Sequence, residues 1–139
     1  MSEFSRISNN NCVAEFAVAL ILGIMKNLHL FDNAVRQGQW SRFTMRELKA
    51  KTVGIVGFGR IGRRLAQLLQ SFDVELVAYD PYMNEEEAKR LNVKPVGLDE
   101  LLACSDVVSL HIPATSETRH LINHETIAKM KDGAYLVNT

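Results

Sequence analysis

At 139 residues the chain holds one domain's worth of sequence, and an apolar content of 47% is that of an ordinary folded protein. Sixteen basic side chains balance sixteen acidic ones, so net charge points to neither a nucleic acid nor a membrane surface as partner. Cys12 and Cys104 are too few for a disulfide framework or a zinc site; both read as buried small apolar residues, which suits a reducing cytoplasm.

Residues 1–10, rich in Ser and Asn, read as a disordered leader to a domain that fills residues 11–139. A helical pattern follows over residues 11–36, with Asn10 or Asn11 as its N-cap and Gly38 just past its end. Val13, Phe16, Ala17, Leu20, Ile21, Ile24 and Leu28 make one apolar face, and the opposite side, with Ala14, Val18, Ala19 and Leu22, is apolar too. A helix apolar all round is buried all round. One domain's sheet covers one side, so the other needs a second subunit or the rest of a larger protein. The apolar run from Phe16 to Met25 is too short to span a bilayer and lacks the cleavage pattern of a signal peptide. Trp40, in a loop punctuated by Gly38, reads as a packing anchor.

The most informative stretch is KTVGIVGFGRIGRRLAQLLQSFDVELVAYD, from Lys51 to Asp80. Thr52-Val53-Gly54-Ile55-Val56 has the length and composition of a buried strand. A helix follows with Ile61, Leu65, Leu68, Leu69 and Phe72 on one face, and Leu76-Val77-Ala78-Tyr79 is a second strand, closed by Asp80. Gly57, Gly59 and Gly62 supply G-x-G-x-x-G at the strand-to-helix turn, the context that separates a dinucleotide fingerprint from a chance glycine triplet. Gly57 permits the tight turn, Gly59 lets a pyrophosphate approach the backbone, and Gly62 lets the helix pack on the strand. The free N–H groups around Arg60 and Ile61 form an anion site at the helix start. Asp80 stands where a carboxylate can accept ribose hydroxyls.

Past Pro81 the units keep alternating: a short charged helix from Glu85 to Leu91, then a weak strand from Val93 to Val96. Pro95 confines that strand to a sheet edge. A helix from Leu98 to Cys104 leads through Asp106 into the strand Val107-Val108-Ser109-Leu110, which ends at His111-Ile112-Pro113. A polar loop, Thr115 to Thr118, precedes a helix from Glu125 to Met130 and a last strand from Ala134 to Val137. Strands joined through helices predict a doubly wound parallel α/β sheet of Rossmann type, preceded by the long N-terminal helix. Ligands of such sheets lie beyond the carboxyl ends of the strands. That rule gathers Gly57 to Gly62, Asp80, His111 to Pro113, and Asn138-Thr139 on one edge. His111 there is either a polar contact for the adenosine half or a satisfied edge histidine, and Arg60 is either a phosphate contact or a solvated first-turn residue. His29, His120 and His124 show no metal-ligand spacing, so no metal site is expected.

VGIVGFGRIGRRLA, VAYDPY, LDELLACSDVVSLHIPATSETRHLIN and KMKDGAYLVNT together resemble the D-isomer-specific 2-hydroxyacid dehydrogenases. VAEFAVALILGIMKNL is similar to the long helix that precedes the Gly-rich motif in that family. GFGRIG with YDPY resembles most the phosphoglycerate dehydrogenase branch. The resemblance implies an NAD-binding domain with Arg60 and Ile61 at the pyrophosphate, Asp80 and the adjoining Pro81 at the adenosine ribose, and Ile112 and Pro113 flanking the adenosine half. Thr118 would lie near the phosphates and Asn138 and Thr139 at the nicotinamide end, with Arg63 and Arg64 also committed to the pyrophosphate end. It further implies a homodimer through the helix from Val13 to Leu28. Asp73 stands where the family usually has Gly, a turn that Asp tolerates in left-handed conformation. The family's substrate-orienting Arg and its acid–histidine pair have no counterpart up to Thr139, so no catalytic residue is assigned. The expectation is the cofactor domain of an oxidoreductase that moves a hydride between NAD and a D-2-hydroxy acid, inactive by itself. The alternative is a non-catalytic, NAD-responsive dimerisation or regulatory module.

Overall fold

In the computed structural model, which describes the backbone of residues 3–139 and the side chains of residues 9–139, five strands form one parallel sheet. They are β1 (Thr52–Val56), β2 (Glu75–Tyr79), β3 (Val93–Pro95), β4 (Val107–Leu110) and β5 (Tyr135–Asn138), in the spatial order β3-β2-β1-β4-β5. Val53, Ile55 and Val56 of β1 and Val107 and Val108 of β4 are fully buried. Their unbroken apolar runs, rather than an alternating pattern, follow from burial on both faces of a parallel sheet. In β3, Pro95 pairs in register with Ala78 and takes the edge that its missing N–H demands.

Two apolar layers enclose the sheet. One joins the inner residues of α1 (Glu3–Met25) and α3 (Arg60–Leu69) to Val53, Ile55, Val107 and Val137. The other sets Leu101 and Leu102 of α5 (Leu98–Cys104) against Val56, Val77 and Val108. The smaller helices α4 (Glu85–Arg90) and α6 (His124–Ala128) are capped by Asn84 and Asn123, whose side chains accept from Glu87 N–H and from Glu125 and Thr126 N–H. Asp73, after a 3-10 turn over Gln70–Phe72, takes the expected left-handed backbone at φ 53°.

The N-terminal region departs from the sequence reading in three ways. Met1 and Ser2 of the expected leader lie outside the described residues, but α1 already begins at Glu3. Asn10 and Asn11 are therefore interior rather than caps. Asn11 donates to Glu15 Oε1 one turn on, at 2.6 Å, and accepts from Arg64 Nε at 2.7 Å. The single helix over residues 11–36 is two, α1 and α2 (Leu28–Arg36), bent by 69°. Asn27 makes the break in left-handed conformation at φ 54°, and its side chain donates to Thr44 O at 2.6 Å. Asn is among the few residues that visit that region at small cost. Finally, the buried stripe of α1 is Ala14, Ala17, Ile21 and Met25, whereas Phe16 is 55% exposed and Ile24 37%. The two alanines let α3 come close, which a phenylalanine at the contact would prevent. Cys12 is exposed rather than buried, and Trp40, 91% exposed, anchors no packing. No single described helix is long and apolar enough to cross a membrane.

Candidate dinucleotide-binding edge

The sheet order reverses between β1 and β4, whose neighbouring carboxyl ends open a crevice of the kind that binds ligands in doubly wound folds. Gly57 turns the chain there at φ +95°, and a Cβ on it would stand 2.5 Å from His111 O. No side chain fits. Gly62 is held as tightly on the inner side, where a Cβ would meet Gly57 O at 2.2 Å. Gly59 differs, since a Cβ there would meet nothing within 4 Å. Its backbone faces open space, which is what the approach of a diphosphate requires.

Gly59 also caps α3 with extended backbone and no side-chain acceptor. The first N–H bonded within the helix is that of Arg63, to Gly59 O at 3.0 Å. The N–H groups of Arg60, Ile61 and Gly62 therefore lack helical acceptors and carry the positive end of the helix dipole toward the crevice. Arg60 stands exposed at this lip. The other two arginines are turned away, contrary to the sequence expectation. Arg63 pairs with Glu87 of α4, and Arg64 bonds Asn11 of α1 at 2.7 Å and Gln67 at 3.1 Å. Helical period explains the split, because a residue three or four along from Arg60 lies on a flank where α1 and α4 offer partners.

The far side of the turn is fixed from the end of β2. Gly57 N–H donates to Tyr79 O, and Phe58 N–H to Asp80 Oδ2, both at 2.8 Å. Asp80 Oδ1 accepts from Tyr82 N–H, also at 2.8 Å. Pro81 is exposed and Tyr82 is 87% exposed, leaving this corner open to solvent.

At the end of β4, His111 N–H donates to Val56 O at 2.7 Å, and the ring stands between two hydroxyls. Its Nε2 lies 2.8 Å from Ser109 Oγ and its Nδ1 3.4 Å from Thr139 Oγ1. Burial pushes the imidazole down to a pKa of about 4, so it is neutral at ordinary pH. These contacts make His111 the satisfied edge histidine, with hydroxyl rather than carboxylate partners. Ser109 went unremarked in the sequence, although the period of two along β4 puts it on the same face as His111. Ile112 is half-buried and Pro113 exposed beside them, and Asn138 and Thr139 are exposed at the end of β5. Thr118 closes the next loop, its hydroxyl donating to Pro113 O at 2.5 Å and accepting from Thr115 N–H at 2.8 Å.

All the residues assigned from sequence thus fall at one edge or its adjoining loops. Two wider grooves lie elsewhere, one between α4 and β3 and one between α1 and β5, and neither reaches the Gly-rich turn. Shallow exposure suits a diphosphate held by backbone N–H groups, and depth is no guide to its seat. Among the described residues no cluster of His, Cys, Asp and Glu could hold a metal ion.

Sheet order, glycine geometry and the acid at the end of β2 define a dinucleotide-binding α/β domain. Residues 18–139 match the family described as D-isomer specific 2-hydroxyacid dehydrogenase, NAD binding domain, and the chain belongs to that family. It is 52% identical to 2-hydroxyacid dehydrogenase A of Aspergillus oryzae over 91% of its length, covering 37% of that protein. It is 40% identical to a D-3-phosphoglycerate dehydrogenase of Archaeoglobus fulgidus over 94% of its length, covering 25% of that protein. Among solved structures, D-lactate dehydrogenase from Aquifex aeolicus complexed with NAD and lactic acid superposes with a TM-score of 0.84 at 42% identity, over 91% of this chain and 38% of that one. The chain therefore spans well under half the length of these relatives.

Proposed function

We propose that the chain is the cofactor-holding part of an oxidoreductase that moves a hydride between NAD and a D-2-hydroxy acid, 3-phosphoglycerate being one such acid. The observation that carries the reading is the open backbone at Gly59, set beside the unpaired N–H groups of Arg60 and Ile61. The cofactor supplies the redox chemistry. The chain's own residues hold and orient it. In this reading Gly57, Gly59, Arg60, Ile61 and Gly62 seat the diphosphate, while Asp80 and Pro81 take the adenosine ribose. Ile112, Pro113 and the neutral His111 wall the adenosine half, Thr118 borders the phosphates, and Asn138 and Thr139 face the nicotinamide.

The same reading makes NAD the preferred cofactor over NADP. Asp80 stands where a 2′-phosphate would arrive, and Pro81-Tyr82 offers no guanidinium to receive one. Calorimetry with both nucleotides tests this: binding of NAD with NADP at least about tenfold weaker is expected, as a like charge at that range costs on the order of 1 kcal/mol or more. Equal affinities would defeat it.

Self-association is the second part of the proposal. Phe16, Ile24 and Leu28 lie exposed along α1 and the start of α2, an apolar strip that its own sheet does not cover. A second copy paired along this helix would bury it, and the two unpaired thiols suit a cytoplasmic setting.

A further inference from the structure

Resting on the NAD-binding reading, we infer that Asp80 is also a positioning residue for the diphosphate seat. Its carboxylate holds the Gly57-Phe58-Gly59 turn in shape through Phe58 N–H, so that ribose recognition and diphosphate binding depend on one side chain. Both oxygens are engaged before any ligand arrives, Oδ2 by Phe58 N–H and Oδ1 by Tyr82 N–H, each at 2.8 Å.

Phe58 is the middle residue of the turn, and its side chain is only 6% exposed. The ring is anchored in the core and the N–H is anchored by Asp80, so the peptide between Gly57 and Phe58 has no freedom to rotate. Gly59 has no such support, because it meets nothing within 4 Å on the side where a Cβ would stand. Its approach to a diphosphate is therefore set by the residue before it. Without the carboxylate, Phe58 N–H loses an ionised acceptor in a half-buried corner, a loss that favours turning the peptide toward water. The glycines on either side permit that turn at little cost.

The inference makes a prediction opposite in sign to simple electrostatics. Removing a negative charge beside an anion site should tighten anion binding. Removing a brace should weaken it. Inorganic pyrophosphate is the probe, since it has no ribose and so no direct use for Asp80. Wild type, Asp80→Ala and Asp80→Asn are compared by calorimetry and by hydrogen exchange of the Phe58 amide, with the Ile55 amide of β1 as the control for global folding. NAD titration of the wild type separately tests the reading beneath.

In Asp80→Ala the Phe58 amide is expected to lose protection by about tenfold while Ile55 keeps its own, with pyrophosphate bound about tenfold more weakly, the scale of one charge-assisted hydrogen bond. Asp80→Asn keeps a single acceptor oxygen, and its pyrophosphate affinity should follow whatever protection Phe58 retains. If either variant binds pyrophosphate as tightly as the wild type or more so, with Phe58 deprotected, the turn does not need its brace. Unchanged Phe58 protection in Asp80→Ala would equally overturn the inference. Wild type that fails to take up NAD, with the Phe58 protection pattern as described, would defeat the cofactor reading alone.

Discussion

His111 illustrates how a residue that looks catalytic by type becomes structural by environment. A histidine at the ligand edge invites assignment as a base, yet its ring is satisfied by Ser109 and Thr139 and kept neutral by burial, at a pKa of about 4. Its unfolded counterpart titrates near 6.5. The unfolded chain therefore binds the extra proton first as pH falls, and stability present above about pH 6.5 drains away down to about pH 4, by on the order of 3 kcal/mol. Asp106 acts lower on the scale. Partial burial raises its pKa, but the Thr52 N–H bond and the charges of Lys131 and Lys51 outweigh that and hold it below 3.8. Its contribution persists until the pH falls through that lowered value. Denaturant melts between pH 7 and pH 4 should show the upper loss in wild type and a flatter profile in His111→Gln, which cannot titrate. Identical slopes would mean that His111 titrates normally in the folded chain.

At the scale of elements, what the sequence made legible tracks how strongly local chemistry dictated structure. β1, β2 and β4 announced themselves because a strand buried on both faces admits little but apolar residues. The Gly-rich turn was legible for a like reason, since clashes at 2.5 Å and 2.2 Å leave no alternative to Gly57 and Gly62. The bend at Asn27 was not legible, because the apolar period runs straight through it and the cause is tertiary: Asn27 and Lys26 bond Thr44 O and Arg46 O from a distant loop. The facing of α1 was hidden by its composition. A helix apolar on all sides carries no sign of which side the domain will choose, and here small Ala14 and Ala17 won the contact over Phe16. That outcome names the better probe for self-association. Leu22 packs partly against the core, so charging it would damage the fold, whereas Phe16 is 55% exposed. Sedimentation should show a dimer at micromolar concentration that Phe16→Glu converts to a folded monomer. Burying one such ring is worth roughly 1.5–3 kcal/mol in each copy, enough to shift the equilibrium by an order of magnitude or more. A wild-type monomer, or a dimer indifferent to Phe16→Glu, would rule out this helix as the contact.

The whole molecule is a cofactor platform whose charged groups are mostly engaged with one another. Arg63 is tied to Glu87 and Arg64 to Asn11, which leaves Arg60 as the motif's arginine at the lip. Turnover of a hydroxy acid needs its carboxylate clamped against the nicotinamide and a positioned base for the hydroxyl proton. Neither role has a candidate near Asn138, where His111 is occupied by hydroxyls. The expected result with D-2-hydroxy acids, 3-phosphoglycerate included, is no sustained NADH formation by this chain, since the missing base alone is worth roughly 10²–10⁴-fold. Turnover abolished by His111→Ala would instead make that ring a base. The central claim, that NAD lies across the reversal point of the sheet, is tested most directly by mapping backbone amide shifts as NAD is titrated into the labelled chain. The account predicts that the amides of Gly59, Arg60 and Ile61 move most, with Tyr82 and Ile112 beside them, and that Gly59→Val, folded as before, shows none of these shifts. NAD shifts confined to the groove between α4 and β3, or to the one between α1 and β5, with the Gly-rich turn unmoved, would contradict it.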